Sequence, residues 1–233
     1  MFEDSGVLGQ SYVVGKPAKE YPLVKDICMG FYNKHILPKL IQSACTQDEI
    51  MRQREKVVPL AKGRVLEVGF GSGLNLPLYD ASAVEHVWGL DPSLELADMA
   101  RPLIEAAHFS VEHLASSAEA IALDNHSADT VVITYTMCTI PDVLASLTEM
   151  RRVLKPGGKL LFCEHGLAPD KKVQRWQAML TPVWKRLGGG CHLNRDIPAL
   201  LKDGGFELEK VESMYVPGWK LASYNYWGKA YAK

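Results

Sequence analysis

The chain has 233 residues, 47% of them hydrophobic and 23% charged, which is enough apolar surface to offset the entropy of folding and excludes disorder outside the ends. Its 26 lysine and arginine residues balance 27 aspartate and glutamate residues, which excludes the broad positive field of a dedicated nucleic-acid binder. Five cysteines stand singly, at Cys28, Cys45, Cys138, Cys163 and Cys191, so neither a disulfide framework nor a paired-thiol metal site is expected, and a reducing cytoplasm fits best.

Residues 1–22 carry Gly6, Gly9, Gly15, Pro17 and Pro22 with little apolar periodicity and read as a leader or loop. The start, Met1 to Gly9, lacks the basic and apolar stretches of a signal peptide, and no apolar run approaches the roughly 18–20 residues that span a bilayer. From Leu23 to about Pro59 the pattern is helical, with Pro38 as a kink or break and Thr46 as a cap before a helix over 47–57. Ile27, Phe31, Ile36, Leu37, Leu40 and Ile41 mark one face of this region, which packs on a core or lid or else lies at a membrane interface. Residues 1–59 therefore form a leader and helical cover, and residues 60–233 form the main domain.

The remainder alternates β-branched runs with helical stretches. Strands are expected at 64–68, 84–90, 110–114, 130–135 and 159–164. Helices are expected at 93–107 and at 141–154, the second with Pro141 in its first turn and a stop at Lys155-Pro156-Gly157-Gly158. After a helix over 194–203, the stretches 206–214 and 221–232 read as a closing pair of strands. Parallel neighbours need right-handed crossovers, so the expected class is α/β, a doubly wound, mostly parallel sheet of seven strands.

The segment from Val65 to Gly73 is an apolar strand running into a loop with Gly69, Gly71 and Gly73 at every second position. Glycine permits positive φ and lets a ligand approach backbone N–H groups, so the loop suits a polar ligand lying across the strand end; a tight turn with no ligand is the alternative. Asp91 ends the second apolar run, where it either accepts both hydroxyls of a ribose or caps the following helix. The dinucleotide fingerprint requires a glycine where Leu74 stands, which disfavours a nicotinamide cofactor. Glu67 just before the loop would repel a pyrophosphate, whereas the cationic sulfonium and ammonium of S-adenosylmethionine would be attracted.

Glu67-Val68-Gly69-Phe70-Gly71-Ser72-Gly73, Gly89-Leu90-Asp91-Pro92-Ser93 and Val153-Leu154-Lys155-Pro156-Gly157-Gly158 resemble class I S-adenosylmethionine-dependent methyltransferases, of the type 11 domain, over about residues 60–233. The resemblance implies a Rossmann-like fold, S-adenosylmethionine as cofactor and S-adenosylhomocysteine as product. By that resemblance Glu67, Gly69, Gly71, Ser72 and Gly73 border the methionine part, Asp91 and Pro92 the ribose, and Ser117, Ala118 and Glu119 the adenine. Thr134 joins the cofactor-binding residues, and Tyr135, Thr136 and Met137 line the pocket near the reactive methyl. The family often has an acidic residue where Ser117 stands, which leaves adenine recognition to backbone groups.

Methyl transfer from a sulfonium is an in-line displacement that requires a desolvated nucleophile held about 3 Å behind the methyl carbon. His165, at the end of the fifth strand, is the candidate base, with Tyr135 beside it, and the alternative for His165 is a hydrogen bond to a loop. Glu164 is a neighbour able to orient it, although adjacent strand residues face opposite ways. Downstream, Trp176, Trp184, His192 and Arg195, with the triplet Gly188-Gly189-Gly190, occupy the expected substrate wall or, for the tryptophans, the core. Cys191-His192 alone is too sparse for a metal, and none is expected.

This segment, with Phe31-Tyr32, His35-Ile36-Leu37-Pro38 and Leu74-Asn75-Leu76-Pro77, is similar to bacterial relatives of the animal membrane-associated methyltransferases that act on small thiols. The resemblance implies a small-molecule acceptor, hydrogen sulfide or an alkyl thiol, with Tyr32 in the substrate pocket. Phosphatidylethanolamine or another amine is the alternative acceptor, and a non-catalytic S-adenosylmethionine-binding module is a second alternative. Peripheral membrane contact stays open, as does the oligomeric state.

Overall fold

The computed structural model describes Tyr32 and residues 36–233. The leader 1–22, the first part of the helical cover and residues 33–35, and with them Ile27, Cys28, Phe31 and His35, lie outside the described residues.

Seven strands form one sheet: β1 (Gly63–Val68), β2 (Val84–Leu90), β3 (Ser110–Leu114), β4 (Ala128–Thr134), β5 (Leu154–His165), β6 (Phe206–Tyr215) and β7 (Tyr224–Ala232). Their spatial order is β3-β2-β1-β4-β5-β7-β6. The first five are parallel, and β7 runs antiparallel to both β5 and β6. Helices α1 (Leu37–Cys45), α2 (Asp48–Arg54), α3 (Leu94–Glu105), α4 (Val143–Val153), α5 (Lys171–Leu187) and α6 (Ile197–Asp203) complete the described architecture, which is the expected doubly wound α/β sheet with a helical cover.

The central strands are covered on both sides, so they read as continuous apolar runs rather than as alternating ones. Successive side chains leave a strand on opposite faces. Leu66, Val131 and Leu160 enter one core with Leu147 and Met150 of α4 and Leu201 of α6. Their neighbours Val65, Val132 and Leu161 enter a second core with Ala100 of α3 and Val57 and Val58 behind α2. The edge strand β6 is largely exposed, as a strand covered on one side should be.

The register aligns the strand ends. Val68 pairs with Leu90 and Ile133, Leu90 with Leu114, and Thr134 with Cys163. The residues that follow β1 to β5 therefore emerge along one edge, where a ligand crevice is expected in an open parallel sheet.

Several local expectations shift. Thr46 does not cap the second helix: its hydroxyl donates back to the Gln42 and Ser43 carbonyls, closing α1, and α2 spans only seven residues after Gln47. Pro38 sits in the first turn of α1, where its missing N–H has no intrahelical partner to lose, so no kink arises. Pro141 precedes α4, whose cap is Asp142, accepting from the Ala145 N–H at 3.0 Å. β5 begins at Leu154, and the Lys155–Gly158 turn is an excursion within it opposite Asp129, held by a Lys155–Asp129 ion pair of 2.7 Å. α6 and β7 begin later than expected, at Ile197 and Tyr224. Among the described residues no helix is long and apolar enough to cross a membrane.

Candidate active site

The turn after β1 is folded against the end of β2: the N–H groups of Gly69 and Phe70 both donate to the Leu90 carbonyl, at 2.9 and 3.1 Å. Gly69 has φ +74°, and a Cβ there would lie 1.9 Å from Thr136 Oγ1. Gly71 also has positive φ, +55°, but a Cβ there would meet only the Gly69 carbonyl oxygen, 4.0 Å away, which leaves room for a close-approaching ligand. Its N–H donates to Asp91 Oδ2 at 2.9 Å, while the Ser93 N–H donates to Asp91 Oδ1 at 2.9 Å. Each carboxylate oxygen keeps a lone pair for a ribose hydroxyl. Burial raises the Asp91 pKa, opposed by these two N–H bonds. The helix cap is Ser93, whose Oγ accepts from the Leu96 N–H at 3.2 Å; Pro92 between them is exposed. Gly73 packs close to Leu76 and Ala100, and the Ser72 hydroxyl donates to Gln42 Oε1 of α1.

Beyond β3, Ala118 is buried and Ser117 and Glu119 are half-buried. Glu119 Oε1 accepts from the Asp142 N–H at 3.2 Å, which ties this turn to the start of α4.

Beneath the glycine turn lies a buried polar cluster. Glu67, 1% exposed, accepts from Asn75 Nδ2 at 3.0 Å and from the Tyr79 hydroxyl at 2.7 Å. Burial pushes its carboxyl up to about 7, against the hydrogen bond from Tyr79 and the positive charge of Arg54. Arg54 Nη1 of α2 donates to Asn75 Oδ1 at 3.0 Å and to Thr134 Oγ1. Its guanidinium lies over the Tyr135 ring, 5.1 Å from the centroid. Its Nε is buried without a partner, and it makes no ion pair among the described residues.

The turn after β4 is held by strain and by a carboxylate. Tyr135 has φ +52°, an uncommon conformation for a bulky residue that persists where the surroundings over-determine it. Its N–H donates to the Cys163 carbonyl at 2.9 Å. Its hydroxyl donates to Asn225 Oδ1 at 2.6 Å, and burial raises its pKa far above the phenol range. Tyr135 is thus a stably protonated anchor rather than a proton carrier. Glu164 Oε1 accepts from the Thr136 and Met137 N–H groups at 2.8 and 2.9 Å, so Glu164 organises this turn and does not orient His165. Burial pushes Glu164 up to about 7 as well. Met137 is fully buried in the core and does not line a pocket as expected.

The glycine-rich segment after α5 docks on that same turn. The His192 N–H donates to the Cys138 carbonyl at 2.9 Å, with His192 Nδ1 at 3.1 Å from the same oxygen. Arg195 donates to the Met137 carbonyl and, at 2.7 Å, to that of Ile140. Both side chains, expected to face substrate, instead clamp two loops together. Gln177 supports the clamp from α5, donating to the Gly166, Leu193 and Leu221 carbonyls at 3.0, 2.8 and 2.9 Å. Docking places the Cys191 sulfur 3.3 Å from His165 Nε2. Hydrogen bonding with Cys138, opposed by burial, and then with His165 holds Cys191 down at about 4. His165 is raised: burial opposes its cation, but the Cys191 contact outweighs it.

The aromatic residues are divided. Trp176 is 47% exposed on the outer side of α5 and does not join this cluster, contrary to its expected place on the substrate wall. Trp184 is half-buried against Trp219, with ring centroids 4.9 Å apart, and it also contributes to lowering Cys191. The Tyr32 hydroxyl donates to the Leu187 carbonyl at 2.7 Å, at the end of α5.

A methyltransferase domain family matches residues 66–162. Thiol S-methyltransferase TMT1A of Homo sapiens is 30% identical over 74% of this chain and 72% of that protein. The chain belongs to the class I S-adenosylmethionine-dependent methyltransferases. Thiol S-methyltransferase TMT1B of Rattus norvegicus is 34% identical over 57% of this chain, a match that spans only 55% of that protein. A phosphatidylethanolamine N-methyltransferase of Cereibacter sphaeroides is 36% identical over 47% of this chain and 53% of its own length. A methyltransferase structure from Methanosarcina mazei shares the fold, with a TM-score of 0.59 at 21% identity, over 73% of this chain and 93% of that one.

The family's cofactor fits what this methyltransferase presents. Among the described residues nine buried side-chain atoms lack a hydrogen-bond partner, and four of them, Arg54 Nε, His113 Nε2, Ser116 Oγ and Glu164 Oε2, belong to the strand ends and turns around the crevice or to α2 packed on it. Buried polar atoms are nearly always satisfied, so such a concentration marks a place for a ligand. Arg54 and Gln177 carry no motif, since an isolated polar residue in a helix gives no sequence signal until the fold buries it; Asn75 and Glu164 stand in segments the sequence singles out, but only the fold sets the hydrogen bonds they make.

Proposed function

We propose that the chain transfers the methyl group of S-adenosylmethionine to a small thiol, hydrogen sulfide or an alkyl thiol. Support comes from the chemistry at the ends of β4 and β5. The Tyr135 hydroxyl is tied to Asn225 and one oxygen of Glu164 to the loop backbone, and beside them stand the His165–Cys191 pair at 3.3 Å and the unpartnered second oxygen of Glu164. An alkylammonium needs a strong base to expose its lone pair, whereas a thiol of pKa about 8.5 already supplies some thiolate at neutral pH. The similarity to thiol S-methyltransferases points the same way.

The donor supplies an electrophilic methyl on a sulfonium. In this reading Gly69, Gly71, Ser72 and Gly73 receive its methionine end beside Glu67, and Arg54 pairs with its carboxylate. Asp91, next to Pro92, accepts from the ribose hydroxyls, and the turn of Ser117, Ala118 and Glu119 borders the adenine. Thr134 and Tyr135 close the floor beneath the methyl. His165 and Cys191 border the acceptor sulfur.

The test is methyl transfer from labelled donor to a simple alkyl thiol in plain buffer, for which formation of the methyl thioether is the expected result. The similarity to a phosphatidylethanolamine N-methyltransferase gives the second reading, under which product forms only with vesicles containing that lipid. Retention of S-adenosylhomocysteine with no transfer to thiols, amines or lipids would identify a binding module instead.

A further inference from the structure

We propose that Cys138, His165 and Cys191 form a mononuclear zinc site whose open fourth position takes the sulfur of the acceptor thiol. The inference rests on the thiol reading above for the acceptor, but the metal site itself stands on geometry. The three ligand atoms all lie within 4.8 Å of one another, and Cys191 Sγ is 3.3 Å from His165 Nε2. Around tetrahedral zinc, bond lengths of about 2.3 Å to sulfur and about 2.0–2.1 Å to nitrogen place two sulfurs about 3.8 Å apart and a sulfur and nitrogen about 3.5 Å apart. Side-chain adjustments of about an ångström or less bridge the difference.

The donors are also of the right kind and free for the task. Two thiols and an imidazole select zinc over magnesium or calcium, which take oxygen ligands. Cys138 Sγ lies 4.0 Å from the Tyr135 carbonyl oxygen, the limit of a weak contact. Among the described residues His165 Nδ1 is buried without a partner, so no hydrogen bond from them sets the ring's tautomer; coordination through Nε2 would. Cys138 and His165 are buried and Cys191 is half-buried, so Cys191 is the member of the group in contact with solvent. Among the described residues no fourth His, Cys, Asp or Glu joins the group, and three protein ligands with one vacant position is the pattern of catalytic zinc.

Position matches purpose. Cys138 follows β4 and His165 ends β5, while the glycine turn follows β1, the other neighbour of β4. At about 4.8 Å between strands, the site lies within about 10 Å of that turn. On binding, the thiol releases its proton to solvent and its sulfur becomes a zinc-held thiolate. The thiolate forms the new C–S bond as the methyl–sulfonium bond breaks, giving a neutral methyl thioether and S-adenosylhomocysteine. The thioether is a weaker zinc ligand than the thiolate and leaves.

The test uses the reduced full chain, stripped of metal and titrated with Co2+ and Zn2+. The expected result is one ion per chain retained through dialysis and a sulfur-to-cobalt charge-transfer band in the near ultraviolet. Cys191→Ser and His165→Gln should each lower metal affinity at least tenfold while melting temperature and S-adenosylhomocysteine binding hold; Cys191→Ser alters only a half-buried side chain and guards against misfolding. Adding ethanethiol with S-adenosylhomocysteine should shift the cobalt band. Absence of a stoichiometric ion in reduced wild-type protein, equal cobalt binding by Cys191→Ser, or isolation of a Cys138–Cys191 disulfide under reducing conditions overturns the site. Undiminished thiol methylation by the metal-free protein overturns the zinc role yet leaves the thiol reading standing. A bound ion with no spectral response to thiol overturns the acceptor position, and thiol turnover measured beside it judges that reading separately.

Discussion

Gly71 and Asp91 are joined by a 2.9 Å hydrogen bond from backbone N–H to carboxylate, which ties the glycine turn after β1 to the end of β2 and aims the remaining lone pairs of Asp91 into the crevice. Asp91→Ala is therefore expected to remove both a ribose acceptor and the turn's tether. Calorimetric affinity for S-adenosylhomocysteine should fall by about 1–3 kcal/mol; unchanged affinity would count against the ribose role.

Two glycines of this turn, Gly69 and Gly71, differ in what a methyl group would meet. At Gly69 it would strike the side chain of Thr136, so Gly69→Ala should lower the melting temperature as well as binding. At Gly71 it would meet only the Gly69 carbonyl oxygen, 4.0 Å away, and Gly71→Ala should cost about 1–2 kcal/mol of stability from positive φ alone while reducing cofactor affinity by more than that. Equal thermal loss in the two variants contradicts the difference.

Arg54 is a buried guanidinium with no ion pair among the described residues. Arg54→Met should weaken S-adenosylmethionine binding by about 1.5–3 kcal/mol, the worth of a hydrogen bond to a charged group. An analogue lacking the amino-acid carboxylate should bind wild type and variant alike. If the analogue is as sensitive as the cofactor, Arg54 acts on the fold and not on that carboxylate.

Glu67 and Glu164 are both raised to about 7 in the folded protein. Because the folded values exceed the unfolded ones, the native state binds more protons between them. The stability these groups contribute is thus full below about pH 4.5 and falls as pH rises toward 7. Urea unfolding of the cofactor-free protein across that range should show the decline, and Glu67→Gln and Glu164→Gln should each flatten it. A cationic donor favours ionised Glu67, so its affinity should rise with pH up to about 7, and that rise should vanish in Glu67→Gln.

Much of the fold was legible in the order of residues. β1, with Val65, Leu66 and Val68, and β4, with Val131 to Ile133, announce buried parallel strands through uninterrupted apolar runs, and the boundaries of β2 and β3 agree with expectation to the residue. The ends of helices were less legible. Thr46, Pro141 and Asn194 offered plausible starts, but the caps are chosen by which side chain meets a free N–H once neighbouring turns have packed, as Asp142 and Asp196 do.

The amino-acid sequence alone determined the alternation of strands and helices, the glycine turn and its acidic partner Asp91, and so the family and its cofactor, because these depend on periodicity and φ preference within a few neighbouring residues. Only the tertiary structure decided that Arg54 lies beneath that turn, that His192 and Arg195 are clamps, and that Cys138, His165 and Cys191 meet. Those relations depend on how strand ends align and loops dock across the sheet, and no local pattern in the chain encodes the distance between side chains that distant segments carry.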